Sequence, residues 1–265
     1  MRVVLGIEYS GSGFSGWQYL GPDRRARTVQ DCLQQALAAV AAEPVQVVCA
    51  GRTDAGVHAC GQVVHFDTGA RRSARGWVLG ANSALPPDVS VAWAQATGAD
   101  FHARYSATGR LYRYFILNAT ARSGALAGRV TWHHWPLDHA RMQAAADTLI
   151  GEHDFSAFRS SECQSKSTLR HLRQLRVRRD GDFIVIDAEA NAFLHHMVRN
   201  LVGVLLAIGT GKQAVGWARE VLEGRDRRLG GVTAPAEGLY LCRVDYPAHF
   251  GIPAPRAAFL PVPPA

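Results

Sequence analysis

Lysine is nearly missing from this 265-residue chain: only Lys166 and Lys212 occur, so 27 of its 29 basic residues are arginine. Acidic residues number 22, which leaves a formal charge of +7. A positive surplus carried on planar guanidinium groups suits phosphate oxygens and the faces of bases, so it points toward nucleic acid, although genome base composition also raises arginine. Cysteine is scarce and odd in number. Cys32, Cys49, Cys60, Cys163 and Cys242 form no CxxC pair, which supports neither a disulfide framework nor a zinc site. Long apolar runs are lacking too, and the amino terminus reaches Glu8 too soon for a signal peptide, so the expected protein is cytoplasmic and makes no use of a membrane. No Walker loop, nucleophile elbow or GxGxxG follows a strand. The eleven histidines show no ligand spacing: His133-His134 and His195-His196 are adjacent pairs, which on a helix point about 100° apart, and no metal is expected.

What is present reads as a mixed α/β chain. Arg2 to Tyr9 has the pattern of a strand, and Ser10 to Gly13 that of a turn. Thr28 caps a helix whose apolar positions Val29, Cys32, Leu33, Ala36, Leu37 and Val40 follow three-four spacing. Strands are expected at Val45 to Ala50, Gly61 to Thr68 and Val89 to Ala94, with a helix from Ala74 to Ala84 before the Pro86-Pro87 break. The second half repeats the theme: a strand from Arg110 to Asn118, a helix from Asp138 to Ile150, strands Arg173 to Arg179 and Phe183 to Asp187 joined at Asp180-Gly181, helices near Leu194 to Ile208 and Gln213 to Glu223, and a last strand Leu239 to Asp245. Six of the twelve prolines follow Tyr246, as expected of an extended tail. This divides the chain into residues 1–105, 106–246 and a tail at 247–265.

Three features carry chemistry. The segment Gly51-Arg52-Thr53-Asp54-Ala55-Gly56-Val57-His58 sets one carboxylate between two glycines after an apolar run, which suits an exposed nucleophile. Asp beside Gly is also ordinary turn chemistry. Arg199 interrupts a helix that is apolar on nearly every side, and a guanidinium there demands a carboxylate or phosphate partner, or a route by which its head reaches water. Finally, Phe101 to Leu137 contains five arginines, no acid, and Tyr105, Tyr112, Tyr114 and Phe115. Arg159 to Arg179 holds seven basic residues against Glu162. Basic stretches interleaved with aromatics can hold a phosphate backbone while stacking on a base.

In order along the chain, Tyr9-Ser10-Gly11-Ser12-Gly13-Phe14-Ser15-Gly16-Trp17-Gln18, Gly51 to Ala59, Phe101-His102-Ala103-Arg104-Tyr105-Ser106-Ala107, Arg113 with Tyr112 and Tyr114, Gly151 to Phe155, Phe193 to Asn200 and Gly238 to Leu241 closely resemble the tRNA pseudouridine synthase A family. The resemblance spans Tyr9 to Tyr246. Ser10 departs from it, since the family usually has Asp there, and the tail lies outside it.

The resemblance implies an α+β pseudouridine synthase fold: a mixed, mainly antiparallel sheet from two ferredoxin-like halves flanked by helices, with a central active-site cleft. It implies an isomerase that converts uridine to pseudouridine at positions 38, 39 and 40 in the anticodon stem-loop of tRNA. Asp54 would be the catalytic nucleophile acting on a flipped-out base, by an acylal or a glycal route. Arg199 would pair with Asp54, Tyr112 would stack on the uracil and stand placed for proton transfer, and Arg52 would enter the RNA stem. No cofactor and no metal are implied, and the partners are tRNA and a second copy in a homodimer. Arg24, Arg25, Arg159 and Lys166 are the expected phosphate contacts. Two rivals explain part of the pattern: a non-catalytic RNA-binding protein with RRM-like halves, and a metal-free RNA hydrolase that uses a carboxylate.

Overall fold

A computed structural model describes residues 1–19, 21, 26–163 and 165–254. Arg24 and Arg25 lie outside the described residues, as does most of the proline-rich tail. The chain forms two compact units, one made of Met1–Thr108 together with the chain from Tyr240, the other of Gly109–Leu239. They are not contiguous in sequence. The last strand, placed by the sequence reading in the second half, belongs to the first unit because its start runs parallel to a strand there, Tyr240 against His58 and Leu241 against Ala59.

The first unit is a sheet with two helices. Its strands are β1 (Arg2–Tyr9), β2 (Val48–Cys49), β3 (His58–Asp67), β4 (Val89–Thr97) and β10 (Leu239–Asp245), in the order β4-β1-β3-β10, with β2 beside β3. β1 is antiparallel to both neighbours. Val3, Val4, Leu5 and Ile7 on β1 are all buried, so this strand is covered on both faces and reads as a continuous apolar run rather than an alternation. Helix α1 (Val29–Ala41) starts where Thr28 Oγ1 accepts from the Asp31 N–H, and α2 (Ala74–Ala84) where Ser73 Oγ accepts from Gly76. Only Val48–Cys49 of the expected Val45 to Ala50 strand pairs with β3. Ala50 N–H also donates to the Val63 carbonyl of β3 (2.8 Å), while side chains from α1 take the backbone of Val47: its N–H donates to Gln34 Oε1 (3.1 Å), and its carbonyl accepts from Gln30 (3.5 Å). Along the tail, Ala248–Phe250 forms a short 3-10 turn whose last carbonyl accepts from Gln95.

The second unit orders β5 (Gly109–Leu117), β9 (Phe183–Ala190), β8 (Leu169–Asp180) and β7 (Gly151–Asp154) as β5-β9-β8-β7, antiparallel throughout, with β6 (Thr131–Trp132) parallel to β5. Helices α3 (His139–Asp147), α4 (Met197–Gly209) and α5 (Trp217–Gly224) pack with this sheet and with each other. Strand β8 reaches further back than the expected Arg173 start because β7 pairs with its first residues, and Arg173 is the extra residue where the register with β9 shifts. Strand β7 itself was not expected: Gly-Glu-His-Asp has no β-former, and only its partner holds it extended. Helix α4 begins three residues later than expected, because His196 takes a left-handed conformation at φ 63°. Among the described residues no helix is long and apolar enough to cross a membrane.

Candidate active site

In the first unit two glycine-rich segments interlock. After β1 the chain turns through Gly11–Gly13 and passes Gly16 and Trp17 before Thr28 opens α1. The Arg52–Val57 loop lies against this stretch. Trp17 N–H donates to the Thr53 carbonyl (3.0 Å), and Tyr9 and Thr53 share a buried hydroxyl–hydroxyl bond of 2.8 Å. Gly16, at φ +100°, leaves room for the loop: a Cβ there would sit 3.0 Å from the Thr53 oxygen and 3.1 Å from the Ala55 nitrogen. At Gly11 the approach is closer still, with 2.1 Å from an added Cβ to the Val57 oxygen.

The far side of the loop is fixed from the core. Gln62, fully buried on β3, donates to the Gly51 carbonyl (2.6 Å) and accepts from its N–H (3.4 Å). His58 Nδ1 accepts from the Gly11 N–H (3.0 Å), and its ring stacks on Tyr240 at 4.5 Å. A turn closed by Val57 N–H to the Asp54 carbonyl (3.1 Å) then sets Asp54 on the outer bend, half-buried, while Arg52 is exposed. The loop's position is thus defined by backbone groups and buried side chains on both flanks, and the carboxylate is presented from a rigid mount. Burial pushes the nearby Cys49 thiol up to about 12, so it remains a neutral core group.

In the second unit the expected residues sit on regular elements. Successive side chains of β5 alternate between faces, so Tyr112 and Tyr114 share one and Arg113 takes the other. Arg113 meets Asp187, its register partner on β9, through two bonds of 2.5 and 3.0 Å. Tyr112 is half-buried with its ring edge-on to Phe193, 5.2 Å between centroids. Tyr114 is fully buried; its hydroxyl donates to the Pro235 carbonyl and bonds Thr131, and burial drives its pKa well above the ordinary value. Arg199, half-buried near the start of α4, donates through Nε to the Ala234 carbonyl (2.8 Å), and Ala234 N–H donates back to the Arg199 carbonyl (3.1 Å). Its charge is felt at the Tyr114 hydroxyl. The unit therefore gathers Tyr112, Phe193, Tyr114 and Arg199. Of the expected phosphate contacts, Arg159 is half-buried after the Ser156–Phe158 turn and Lys166 is exposed before β8.

A family model described as tRNA pseudouridine synthase matches residues 7–106 and 145–247. The chain belongs to the tRNA pseudouridine synthase family. Its relatives include tRNA pseudouridine synthase A of Nitrosococcus oceani, 57% identical over 253 residues that cover 96% of each chain. The enzymes of that name from Methylococcus capsulatus and Pseudomonas aeruginosa are 55% and 54% identical over 95% of this chain and 92% and 88% of their own. As a pseudouridine synthase the protein is an isomerase, and its mixed, mainly antiparallel α+β architecture is that of the family.

Thr53, His58, Gln62 and Gly16 were not singled out from the sequence, yet they hold the synthase's Asp54 loop. Gln62 had a usable signal, an amide in the middle of an apolar strand, which in a folded core requires a partner. Gly16 had none, because its need arises from a loop nearly 40 residues away.

Proposed function

We propose that the protein isomerises uridine to pseudouridine at positions 38, 39 and 40 in the anticodon stem-loop of tRNA, with Asp54 as nucleophile. The observation that carries this reading is the mounting of Asp54: one half-buried carboxylate on a loop clamped by Tyr9, Gly16, Trp17 and Gln62, in a family that performs this isomerisation.

The chemistry asks little beyond a carboxylate and a shaped pocket. Attack at C1′, or assisted loss of the C2′ proton to a glycal, breaks the N-glycosidic bond. The uracil turns, C5 bonds to C1′ and gives up its proton, N1 takes one up, and on the glycal route C2′ regains the proton it lost. No atom is gained or lost overall, so no redox cofactor is called for. Tyr112 stacks on the uracil and serves the proton transfer, Arg199 supplies the positive charge that favours an ionised nucleophile, and Arg52 enters the stem to hold the flipped nucleotide. Arg24, Arg25, Arg159 and Lys166 contact phosphates. The protein works as a cytoplasmic homodimer on tRNA.

The test is to incubate wild-type protein with an unmodified tRNA transcript bearing uridines at the three positions, derivatise pseudouridine with carbodiimide and map reverse-transcriptase stops. Stops confined to positions 38 to 40 are expected. Stops elsewhere overturn the site assignment, and shortened RNA would favour the hydrolase.

A further inference from the structure

The segment Phe101–Ser106 lies in the same unit as Asp54 and has so far no task. Its Tyr105 is 77% exposed. A single exposed ring needs no explanation, but this one tops a column. It stacks on His102 (4.3 Å between centroids, 27° between planes), His102 packs on His65 (4.8 Å), and the His65 ring meets the buried Phe101 at right angles.

The column is rigid and uncharged. Arg2 donates to the Ala99 and Phe101 carbonyls (2.6 and 2.7 Å), and the Tyr246 hydroxyl to the Ala103 carbonyl (2.6 Å). Ser106 closes the loop on His102 through two bonds, 3.0 and 2.9 Å. His65 Nδ1 accepts from Ala103 N–H, and His102 Nδ1 accepts from both Arg104 and Tyr105 N–H. Each accepting ring nitrogen carries no proton, so the pedestal is neutral. One face of Tyr105 is thereby fixed against His102, while the residue as a whole stays largely exposed. The exposed Arg104 holds its guanidinium 5.7 Å from the ring centroid. Arg104 and the loop residue Arg52 both lie near enough to the buried Cys49 thiol to oppose the rise of its pKa.

We propose that Tyr105 is a stacking platform for an unpaired nucleobase of the RNA substrate, with Arg104 meeting that nucleotide's phosphate. The inference rests on the RNA-modifying reading above. A largely exposed ring pinned from below, with an arginine lying over it, is the chemistry that holds single-stranded nucleotides without reading their sequence. Because the loop is already ordered, binding does not have to order it. An unpaired base is the occupant, since bases inside a duplex have both faces covered.

Fluorescence anisotropy with an unmodified tRNA, a single-stranded oligoribonucleotide and a blunt RNA duplex tests the proposal on wild type, Tyr105→Ala, Tyr105→Leu and Tyr105→Phe. Tyr105→Ala and Tyr105→Leu should weaken tRNA and single-strand binding about tenfold or more, with Tyr105→Phe close to wild type and duplex binding unmoved. Wild-type affinity in Tyr105→Ala overturns the proposal. So does equal binding by Leu and Phe, which would show a greasy contact rather than a stack, or a change in sedimentation at constant RNA affinity, which would show that the ring covers a second copy. Binding is read without turnover. If the RNA affinity depends on the Tyr105 ring but wild type makes no pseudouridine, the platform stands and the reaction falls; pseudouridine with unchanged affinity removes the platform alone.

Discussion

The two units hold their candidate residues by different means. In the first, Asp54 sits on a loop located by main-chain contacts: Trp17 N–H on the Thr53 carbonyl, Gly11 against Val57, Gly16 against Thr53 and Ala55, and Gln62 on Gly51. In the second, Tyr112 occupies an ordinary strand position and Arg199 an ordinary helix position; side chains such as Asn200 and Asp187 tie those elements down, and the main chain meets α4 only at points along it, Ala234 N–H on the Arg199 carbonyl and Val232 against Gly203. Main-chain locking fixes a loop closely but tolerates no added atom, whereas elements tied by side chains can relax when one tie is cut. The units should therefore respond differently to substitution.

The sharpest break is Gly11→Ala. The new methyl would lie 2.1 Å from the Val57 oxygen and 2.5 Å from its carbon, main-chain atoms that cannot swing aside. We expect a loss of about 3 kcal/mol in urea unfolding, at the upper end of overpacking costs, together with loss of turnover. A stable, active variant would show that the loop is not locked.

Asn200→Ala makes the corresponding cut in the second unit. Asn200 is buried, donates to the Phe158 carbonyl (2.7 Å) and accepts from Arg227 and Thr233 (3.0 and 2.7 Å). Leaving those partners unmet should cost about 2 kcal/mol, yet turnover at a temperature well below melting should largely survive. An activity loss as deep as that of Gly11→Ala would erase the contrast between the units.

Acid should erode the first unit through His65. Burial, and then the neighbouring Arg2 and His102, push its pKa down to about 4, with Asp67 opposing. The unfolded imidazole titrates near 6.5, so between about pH 6.5 and about 4 the unfolded chain binds a proton that the folded one refuses, and stability falls as pH is lowered through that window. The loss should be on the order of 1 kcal/mol. His65→Gln should flatten the melting temperature against pH there; an unchanged slope assigns the effect to other groups.

Tyr112→Phe is expected to leave stability unchanged, since the edge-on contact with Phe193 survives without the hydroxyl. Steady-state assays should show a fall in turnover with tRNA binding retained. Wild-type turnover would remove the hydroxyl from the proton transfer.

Legibility in the sequence follows the same division. Regular elements announce themselves: the helix at Ala74–Ala84 and the strands at Arg2–Tyr9 and Leu239–Asp245 fall where periodicity and breakers put them. Elements made by their partners do not, as with Gly151–Asp154, which is extended only because β8 pairs with it. Val47 read as strand because composition cannot show that α1 glutamines take its backbone groups. At the site, the Gly51 to His58 motif marked Asp54, but the interlock depends on pairs such as Tyr9 with Thr53 and Gly11 with Val57, more than 40 residues apart. Tyr105 was noted as one aromatic among arginines and as part of a resembling motif, without a role of its own, and its column needed His65 from another element.

The measurement that bears most directly on the central claim is tritium release from tRNA labelled at uridine C5, for wild type beside Asp54→Asn, because forming the C5 to C1′ bond expels that hydrogen. Wild type should release tritium and Asp54→Asn none, with the variant melting normally and binding tRNA as tightly. Release by Asp54→Asn at the wild-type rate would contradict it.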